Sequence, residues 1–275
     1  LISLMKDQVD GLIANGIPAA QVNSSQSFGE NRITEQELFA KRLKLLFVSP
    51  ERLAQQGFRD MLRRANVKTF AIDEAHCISH WGHDFRPEYR QLRALRDEFP
   101  EASVHAYTAT ATPEVREDIA RQLGLRDPAM LVGDFDRPNL TYRVLPRQDE
   151  SKQVMDVLER HRGEAGIIYC TRRRDVDALP EKLRKRGENV VAYHAGLSQD
   201  ERHDAQEKFS SEKCDIVVAT VAFGMGIDRT NVRFVLHTAM PKSIEHYQQE
   251  SGRAGRDGLE AECVLLYSGA VFLTW

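Results

Sequence analysis

The stretch "TFAIDEAHCISHWGHDFRPEYRQL" (69–92) opens with a short apolar run that stops at two adjacent carboxylates, Asp73 and Glu74. Runs of this kind, β-branched or aromatic and nearly continuous in apolar residues, are typical of strands buried on both faces. Further runs of the same kind lie at 45–49, 103–108, 166–170, 189–194, 215–220, 233–237 and 262–267.

Helical stretches separate these runs. Segments such as "PEVREDIARQLGL" (113–125) and "VDALPEKLRKRG" (176–187) carry apolar residues at helical spacing and close near a glycine. Strand and helix therefore alternate along the chain, which predicts an α/β fold with mainly parallel sheets. The alternation is interrupted at 132–152, a segment rich in proline and charge that lacks a clear helical period. We place a domain boundary there, which gives domains 1–140 and 141–275.

The composition and charge of the chain limit the kinds of protein that it can be. The 275 residues are 41% hydrophobic and 29% charged, an ordinary globular balance with length enough for two domains. The net charge of -3 does not indicate a nucleic-acid binder, so any such site must be a local patch. No apolar run is long enough for a transmembrane helix, the start is unlike a signal peptide, and no membrane partner is expected. The four cysteines are far apart in the sequence, which argues against a zinc site and against disulfide bonds. Free cysteines are typical of a reducing compartment, so we expect a cytoplasmic protein, associated with the nucleoid if it is bacterial.

The carboxylates at 73 and 74 are a candidate for chemistry. In parallel α/β sheets, ligands bind beyond the carboxyl ends of the strands, which is where Asp73 and Glu74 fall. An aspartate there can hold Mg²⁺ through its water shell, and a neighbouring glutamate can orient or deprotonate an attacking water. The plainer alternative is that the two acids only cap the next helix. The complete D-E-A-H string favours the chemical interpretation.

Two further stretches place small or polar residues at strand ends. In "AYTATATP" (106–113), hydroxyl groups can hydrogen-bond across a cleft, and the closing proline can begin a helix. In "VVATVAFGMGID" (217–228), Gly224 and Gly226 would let backbone amides approach a phosphate or sugar, and Asp228 could accept from a ribose hydroxyl. Taken alone, an ordinary turn explains each stretch as well.

The stretch "HYQQESGRAGRDG" (246–258) holds two arginines three positions apart. Arg253 and Arg256 would share one helical face or one turn, among small residues that let both reach outward. Paired guanidinium groups without bulky neighbours suit a polyphosphate, and an arginine that reaches a γ-phosphate accelerates its transfer. The alternative is a solvated basic turn.

Together these motifs form an ordered set. The succession "DEAH", "TATAT", "FGMGID" and "QESGRAGR" resembles the two-domain, nucleic-acid-dependent NTPases of helicase superfamily 2, and most closely the RecQ family of DNA helicases. Family-typical stretches cover essentially the whole chain: 1–9, 45–53, 77–92, 167–176, 192–197 and 217–227. The resemblance implies two RecA-like domains, the first truncated at its N-terminus. It also implies a helicase that uses ATP and Mg²⁺ and moves 3′ to 5′ on single-stranded and forked DNA.

The resemblance also implies roles for individual residues. The implied catalytic residues are Asp73, Glu74, His76, Arg253 and Arg256. The implied nucleotide contacts are Asp73 (with Mg²⁺ through water), Glu74, Gly226, Asp228, Gln249, Arg253 and Arg256. The implied DNA contacts are Trp81, His83, Phe85 and Arg86 in an aromatic-rich loop, and Ser3, Ser49, Arg52, Arg173 and His194 elsewhere. Rings of the loop can stack on bases, and His83 is placed to link the loop to the carboxylates.

One family element does not occur in the chain. There is no G-x-x-x-x-G-K-[ST] loop, because none of the 17 glycines is followed by lysine. In the family, that loop lies just before the point where this chain starts. We therefore expect a piece of a helicase core that alone binds ATP poorly, unwinds no DNA and holds no zinc. The alternatives are an RNA helicase of the DEAD-box type and a non-catalytic nucleic-acid-binding protein. A single-stranded-DNA-binding protein and recombination proteins are partner classes that the sequence does not specify.

Overall fold

The computed structural model describes residues 2–23, 26–82, 85–133, 136–224 and 227–268. The chain divides into two compact units, Leu1–Gly133 and Asp134–Trp275. Within the described ranges, no helix combines the length and the apolar character needed to cross a membrane.

The first unit alternates short strands with helices. Its elements are α1 (Ile2–Ala14), β1 (Ala19–Val22), α2 (Phe28–Phe39), β2 (Leu45–Val48), α3 (Pro50–Leu53), α4 (Gln56–Arg64), β3 (Thr69–Ile72), α5 (Ala94–Glu98), β4 (Ser103–Ala106) and α6 (Pro113–Leu123). Two 3₁₀ turns, Ala75–Ile78 and Pro87–Arg93, follow β3. Strands β1 and β2 pair in parallel, and so do β3 and β4. Both pairs contribute to one apolar core, in which Val22 and Ile72 pack with Phe58 of α4 and Leu123 of α6.

The TATATP motif leads directly into α6. The Thr112 side chain accepts a hydrogen bond from the Val115 amide, and Pro113 occupies the first turn, where its missing N–H costs nothing. Gly124 ends the helix in the left-handed conformation, with φ 62°. The helix start expected at Pro113 is therefore confirmed, and α6 follows β4 along the chain.

The second unit is a six-stranded sheet with helices. Its elements are β5 (Leu140–Pro146), α7 (Glu150–Arg160), β6 (Ala165–Tyr169), α8 (Arg173–Arg184), β7 (Val190–Tyr193), α9 (Gln199–Ser210), β8 (Ile216–Ala219), β9 (Val232–His237), α10 (Ile244–Ser251) and β10 (Ala261–Tyr267). The strand order is β5-β10-β9-β6-β8-β7, and every pairing is parallel.

Alternate residues of the central strands face opposite sides of this sheet. Ile168 and Val218 pack with Val157 of α7 on one side, whereas Ile167 packs with Phe209 of α9 on the other. Both faces are thus covered, which explains the continuous apolar runs in the sequence. The strand order reverses between β6 and β9, because β7 and β8 lie on one side of β6 whereas β9 and β10 lie on the other. Ligands of such sheets bind at the carboxyl ends of the strands at this point.

The predicted α/β architecture with parallel sheets is confirmed, and each predicted strand has its counterpart. Two strands of the structure, β1 and β5, were not predicted from the sequence. Strand β1 reads Ala-Ala-Gln-Val, with little β-branched character. Strand β5 falls inside 132–152, the segment interpreted as a break, and that interpretation is wrong for Leu140–Pro146. Only Leu140 of this edge strand is buried, so the strand lacks the apolar continuity by which the others are recognised.

Candidate functional site

The two acids of the DEAH string lie at the carboxyl end of β3. Asp73 is exposed, and its Oδ1 accepts a hydrogen bond from the Glu74 amide at 2.8 Å. Glu74 has left-handed backbone angles, φ 50° and ψ 41°, which residues other than glycine seldom adopt. The chain therefore bends sharply at the end of the strand, with both carboxylates at the bend.

His76 joins the DEAH string to the threonines of the TATAT motif. Its buried ring places Nδ1 2.9 Å from the Thr108 hydroxyl and 3.3 Å from Oε2 of Glu74. The Thr108 hydroxyl donates to the carbonyl of Thr110 at 3.2 Å, so Nδ1 of His76 is the donor toward Thr108. Two motifs separated by about 30 residues thus share one hydrogen-bond network at adjacent strand ends.

The aromatic-rich loop follows this network directly. The Trp81 side chain is 78% exposed. Phe85 stacks on His80 with ring centroids 4.0 Å apart, and the Arg90 guanidinium lies 5.4 Å from its centroid. The backbone amide of Arg86 donates to the Cys77 carbonyl at 2.9 Å. Exposed aromatic surface and basic groups therefore follow the carboxylates closely along the chain. His83, expected to link them, lies outside the described residues.

Gly82 lies where this turn passes against its own backbone. A Cβ at Gly82 would sit 2.2 Å from the His76 carbonyl oxygen, so Gly82→Ala must displace the turn. We expect it to lower the free energy of unfolding by about 1–3 kcal/mol and, at the DNA contact that the resemblance implies, to weaken binding of single-stranded DNA. Urea denaturation and oligonucleotide titration measure both effects. Gly57→Ala in α4 is the control, because its Cβ would meet nothing within 4 Å and alanine favours helix. Equal behaviour of the two variants would contradict this prediction.

In the second unit, Arg253 and Arg256 lie in a turn that follows α10. Arg253 is buried and not directed outward as expected; its Nη2 would lie 3.6 Å from a Cβ at Gly224, and its charge acts on Tyr169, whose hydroxyl donates to the Phe223 carbonyl at 2.8 Å. Burial raises the pKa of Tyr169 to about 12, although the charge of Arg253 opposes the shift. Arg253 is thereby tied to the carboxyl end of β6 and to the start of the "FGMGID" loop.

Arg256 contacts the far end of the same loop. Its Nη1 donates to the Ile227 carbonyl at 2.8 Å and lies 3.4 Å from Oδ1 of the largely exposed Asp228. Burial and the nearby charge of Arg253 lower the pKa of Arg256. The structure thus brings Arg253 close to Arg256, which in turn contacts Asp228, and the two guanidinium groups suit an anionic ligand. Gly226 lies outside the described residues.

Two residues that the sequence analysis missed hold this arginine turn in place. Arg137 Nη2 donates to the carbonyls of Ala254 and Gly255, at 3.0 and 2.9 Å. Asn139 Nδ2 donates to the Gly255 carbonyl at 2.8 Å, and it would lie 2.5 Å from a Cβ at that glycine, whose φ is +56°. Since more than 100 positions separate the partners, no local pattern in the sequence indicates these contacts.

A buried pair anchors α10 to the sheet. Nε2 of His237, at the carboxyl end of β9, lies 2.7 Å from Oε2 of Glu250, and both side chains are buried. The His237 ring stacks against Tyr169, with centroids 5.1 Å apart. Gln249, an expected nucleotide contact, is the partly exposed neighbour of Glu250 in α10.

The expected DNA contacts of the second unit form their own group. The His194 ring is buried; Nδ1 accepts the Gly196 amide at 3.0 Å, so Nε2 carries the proton toward Asp177, 2.9 Å away. Arg173 is exposed in the first turn of α8, and its Nη1 would lie 3.2 Å from a Cβ at Gly196. The structure thus places Arg173 and His194 side by side.

The remaining DNA candidates make local contacts in the first unit. Ser49 caps α3 by accepting the Arg52 amide at 3.3 Å. The Arg52 guanidinium donates to Gln55 at 2.9 Å and lies 5.4 Å from the centroid of the Phe58 ring. Ser3 belongs to α1, and its side chain lies outside the described residues. Ser49 and Arg52 therefore have structural roles in addition to any DNA contact.

Two family models match the sequence. Residues 1–119 match the DEAD/DEAH box helicase model, and residues 149–258 match the helicase conserved C-terminal domain.

Several relatives are similar over nearly the whole chain. It is 50% identical to the ATP-dependent DNA helicase RecQ of Pasteurella multocida over 270 residues, which are 98% of the chain and 43% of the relative. The RecQ proteins of Haemophilus influenzae and Bacillus subtilis are 48% and 46% identical, with 98% of the chain and 44% and 46% of the relatives covered. The chain thus spans less than half the length of these relatives.

Solved structures share the fold at low sequence identity. The DUF1998 helicase MrfA bound to DNA gives a TM-score of 0.76 at 19% identity, over 98% of this chain and 39% of that one. Dbp5 of S. cerevisiae bound to RNA and ADP BeF3 gives 0.71 at 16% identity, over 98% and 70%. These likenesses confirm two RecA-like domains with parallel sheets.

Proposed function

This chain belongs to the RecQ family of superfamily 2 helicases, and from that premise we propose that it forms the core of an ATP-dependent DNA helicase. In this core, ATP hydrolysis drives 3′ to 5′ movement along single-stranded DNA and the unwinding of forked duplexes. The observation that carries the proposal is the single turn that joins the carboxylates at Asp73 and Glu74 to the exposed Trp81. A nucleotide site and a DNA sensor that share one turn can influence each other over a short path.

The residues at the end of β3 suit a magnesium-nucleotide complex. The exposed Asp73 carboxylate is oriented by the Glu74 amide and offers the hard oxygen donors that Mg²⁺ prefers. When bound, the ion would neutralise phosphate charge and polarise the transferred phosphoryl group. Glu74 would orient the attacking water, with Nδ1 of His76 3.3 Å from its carboxylate. In the second unit, Arg253 and Arg256 form a pair of cations that would suit phosphate groups.

Single-stranded DNA is the substrate that the aromatic-rich loop supports. Trp81 and Phe85 would stack on bases, which is worth about 1–3 kcal/mol per base, and Arg86 and Arg173 would attract phosphates. Such contacts position a strand without reading its sequence. The names of the relatives support DNA over RNA. All four cysteines are free and buried, which supports the proposal of a reducing, cytoplasmic location.

The deciding experiment compares ATP hydrolysis by this chain with that of an extended protein carrying a G-x-x-x-x-G-K-[ST] loop upstream of residue 1. Each is assayed alone, with oligo-dT and with oligo-U. We expect turnover in the extended protein only, stimulated more by DNA than by RNA. Stronger stimulation by RNA would favour a DEAD-box-type RNA helicase. Equal hydrolysis by both proteins would show that another element binds the phosphates and would overturn the assigned roles.

A further inference from the structure

The backbone of the turn that carries Arg253 and Arg256 is held from a distant segment of the chain. Ala254 and Gly255 are the two residues between these arginines. Nη2 of Arg137 donates to both of their carbonyls, at 3.0 and 2.9 Å. The contacted carbonyls are therefore those that determine the path of the chain from one arginine to the other.

Asn139 contacts the same turn and also contacts Arg137. Its Nδ2 donates to the carbonyls of Gly255 and Leu259, both at 2.8 Å. Its Oδ1 accepts Nε of Arg137 at 3.5 Å. The side-chain amide thus has its donor side on the turn and its acceptor side on the arginine, which fixes the orientation of the amide. We call Arg137 and Asn139 together the clamp.

The clamp is itself attached to the sheet, at the start of β5. The Asn139 carbonyl accepts the amide of Ala261, the first residue of β10, at 3.0 Å, and the Arg137 carbonyl accepts the amide of Leu140 at 2.9 Å. Leu140 is buried in the same apolar cluster as Ala254 and Ala261. Because its backbone belongs to this packed region, the clamp is a fixed support for the turn.

Gly255 allows the clamp to approach the turn closely. Its φ of +56° lies in the left-handed region, and a Cβ at this position would lie 2.8 Å from the Leu259 carbonyl oxygen. The amide of Gly255 donates to the Val232 carbonyl, at the start of β9, at 2.9 Å. The turn is thus bound to the sheet through its amide and to the clamp through its carbonyl.

We propose that Arg137 and Asn139 are positioning residues for ATP turnover, which hold the arginine turn so that the guanidinium of Arg253 is presented to a phosphate group. The inference rests on the proposed function, in which the arginine pair binds phosphate. In this role neither clamp residue touches the nucleotide. Loss of the clamp leaves Arg253 in the protein but displaces it, and a displacement of about 1 Å can lower a reaction rate about a hundredfold.

Steady-state kinetics of the extended protein test this proposal. Arg137→Ala is expected to lower kcat about a hundredfold while KM for ATP stays within about threefold, because the lost interaction matters most in the transition state. Arg137→Lys can still donate to a carbonyl and should retain more turnover than Arg137→Ala. The control is Arg143→Ala, which removes a β5 arginine that binds Glu262 instead of the turn and should keep the kcat of the parent.

Two further measurements separate positioning from direct contact and from general destabilisation. Arg137→Ala should lower kcat no further when it is added to Arg253→Ala, because the clamp acts through Arg253. Hydrogen exchange of the peptide 252–259, measured by mass spectrometry on the chain as it stands, reports opening of the turn. It should be faster than in the parent for Arg137→Ala and Asn139→Ala, and unchanged for Arg143→Ala.

The other possible results also decide the question. Unchanged kcat or unchanged exchange in both Arg137→Ala and Asn139→Ala overturns the proposal, as does an equal loss of kcat in Arg143→Ala. Losses that multiply in the double variant would show that Arg137 acts independently of Arg253. If Arg137→Ala does not fold, Asn139→Ala and Arg137→Lys supply the same comparison. If Arg253→Ala retains turnover, the proposed phosphate contact is wrong, and the exchange at 252–259 still decides whether the clamp holds the turn.

Discussion

Replacement of Glu250 by alanine is expected to lower the free energy of unfolding by about 3–5 kcal/mol, the usual cost of removing one partner from a buried pair. Glu250 accepts from Nε2 of His237 at 2.7 Å, and both side chains are almost fully buried. Nδ1 of His237 has no hydrogen-bond partner among the described residues. The alanine variant would leave both ring nitrogens unpaired in the core, at the joint between β9 and α10.

Urea denaturation of the chain measures this loss. Gln248→Ala, at an exposed position of the same helix, is the matched control and should be neutral or slightly stabilising, because alanine favours helix. Glu250→Gln retains an oxygen that can accept from Nε2 and should cost about 1–2 kcal/mol. If Glu250→Ala unfolds at the same urea concentration as the Gln248→Ala control, the pair does not anchor α10.

Replacement of Arg253 by alanine is expected to reduce ATP turnover of the extended protein by about a thousandfold or more, as loss of a phosphate-binding arginine does elsewhere. The structure distinguishes Arg253 from Arg256. Arg256 donates to the Ile227 carbonyl and faces Asp228, whereas Nε of the buried Arg253 has no hydrogen-bond partner among the described residues. Arg256 is thus already engaged with the loop and Asp228, and we expect the loss of Arg253 to cost more turnover than the loss of Arg256.

A lysine at position 253 tests whether positive charge alone is sufficient for turnover. Arg253→Lys keeps the positive charge but not the planar fork of donors, so its turnover should fall between those of the parent and of Arg253→Ala. Oligo-dT affinity and the urea midpoint are measured alongside, since only a catalytic role lowers turnover while leaving both near their parent values. A turnover of Arg253→Ala within a few-fold of the parent would refute the assignment.

The sequence predicts the sheets well because the central strands are buried on both faces. The run from Ile216 to Ala219 has a covered side chain at every position, which produces a signal that needs no knowledge of the partner strands. The same reasoning placed Asp73 and Glu74 at a strand end. It failed for β5, because exposure at an edge removes the apolar continuity.

Contacts between distant segments are what the sequence could not predict. Arg137 reads as one cation in a charged, proline-containing segment, yet it holds the arginine turn through carbonyls at 254 and 255. In the sequence Asp118 resembles any other acid on the polar face of a helix, yet it is almost fully buried. The roles of such residues depend on how distant segments pack together, and a local sequence pattern does not indicate that packing.

At Glu74, the left-handed backbone makes stability of the fold and hydrolytic activity competing requirements. A residue other than glycine or asparagine in that conformation raises the energy of the fold by on the order of 1–3 kcal/mol. Glu74→Gly would remove this strain together with the carboxylate on which the proposed hydrolysis depends. Laboratory evolution toward heat resistance alone would therefore favour inactive proteins at this position, and selection must include turnover to retain the glutamate.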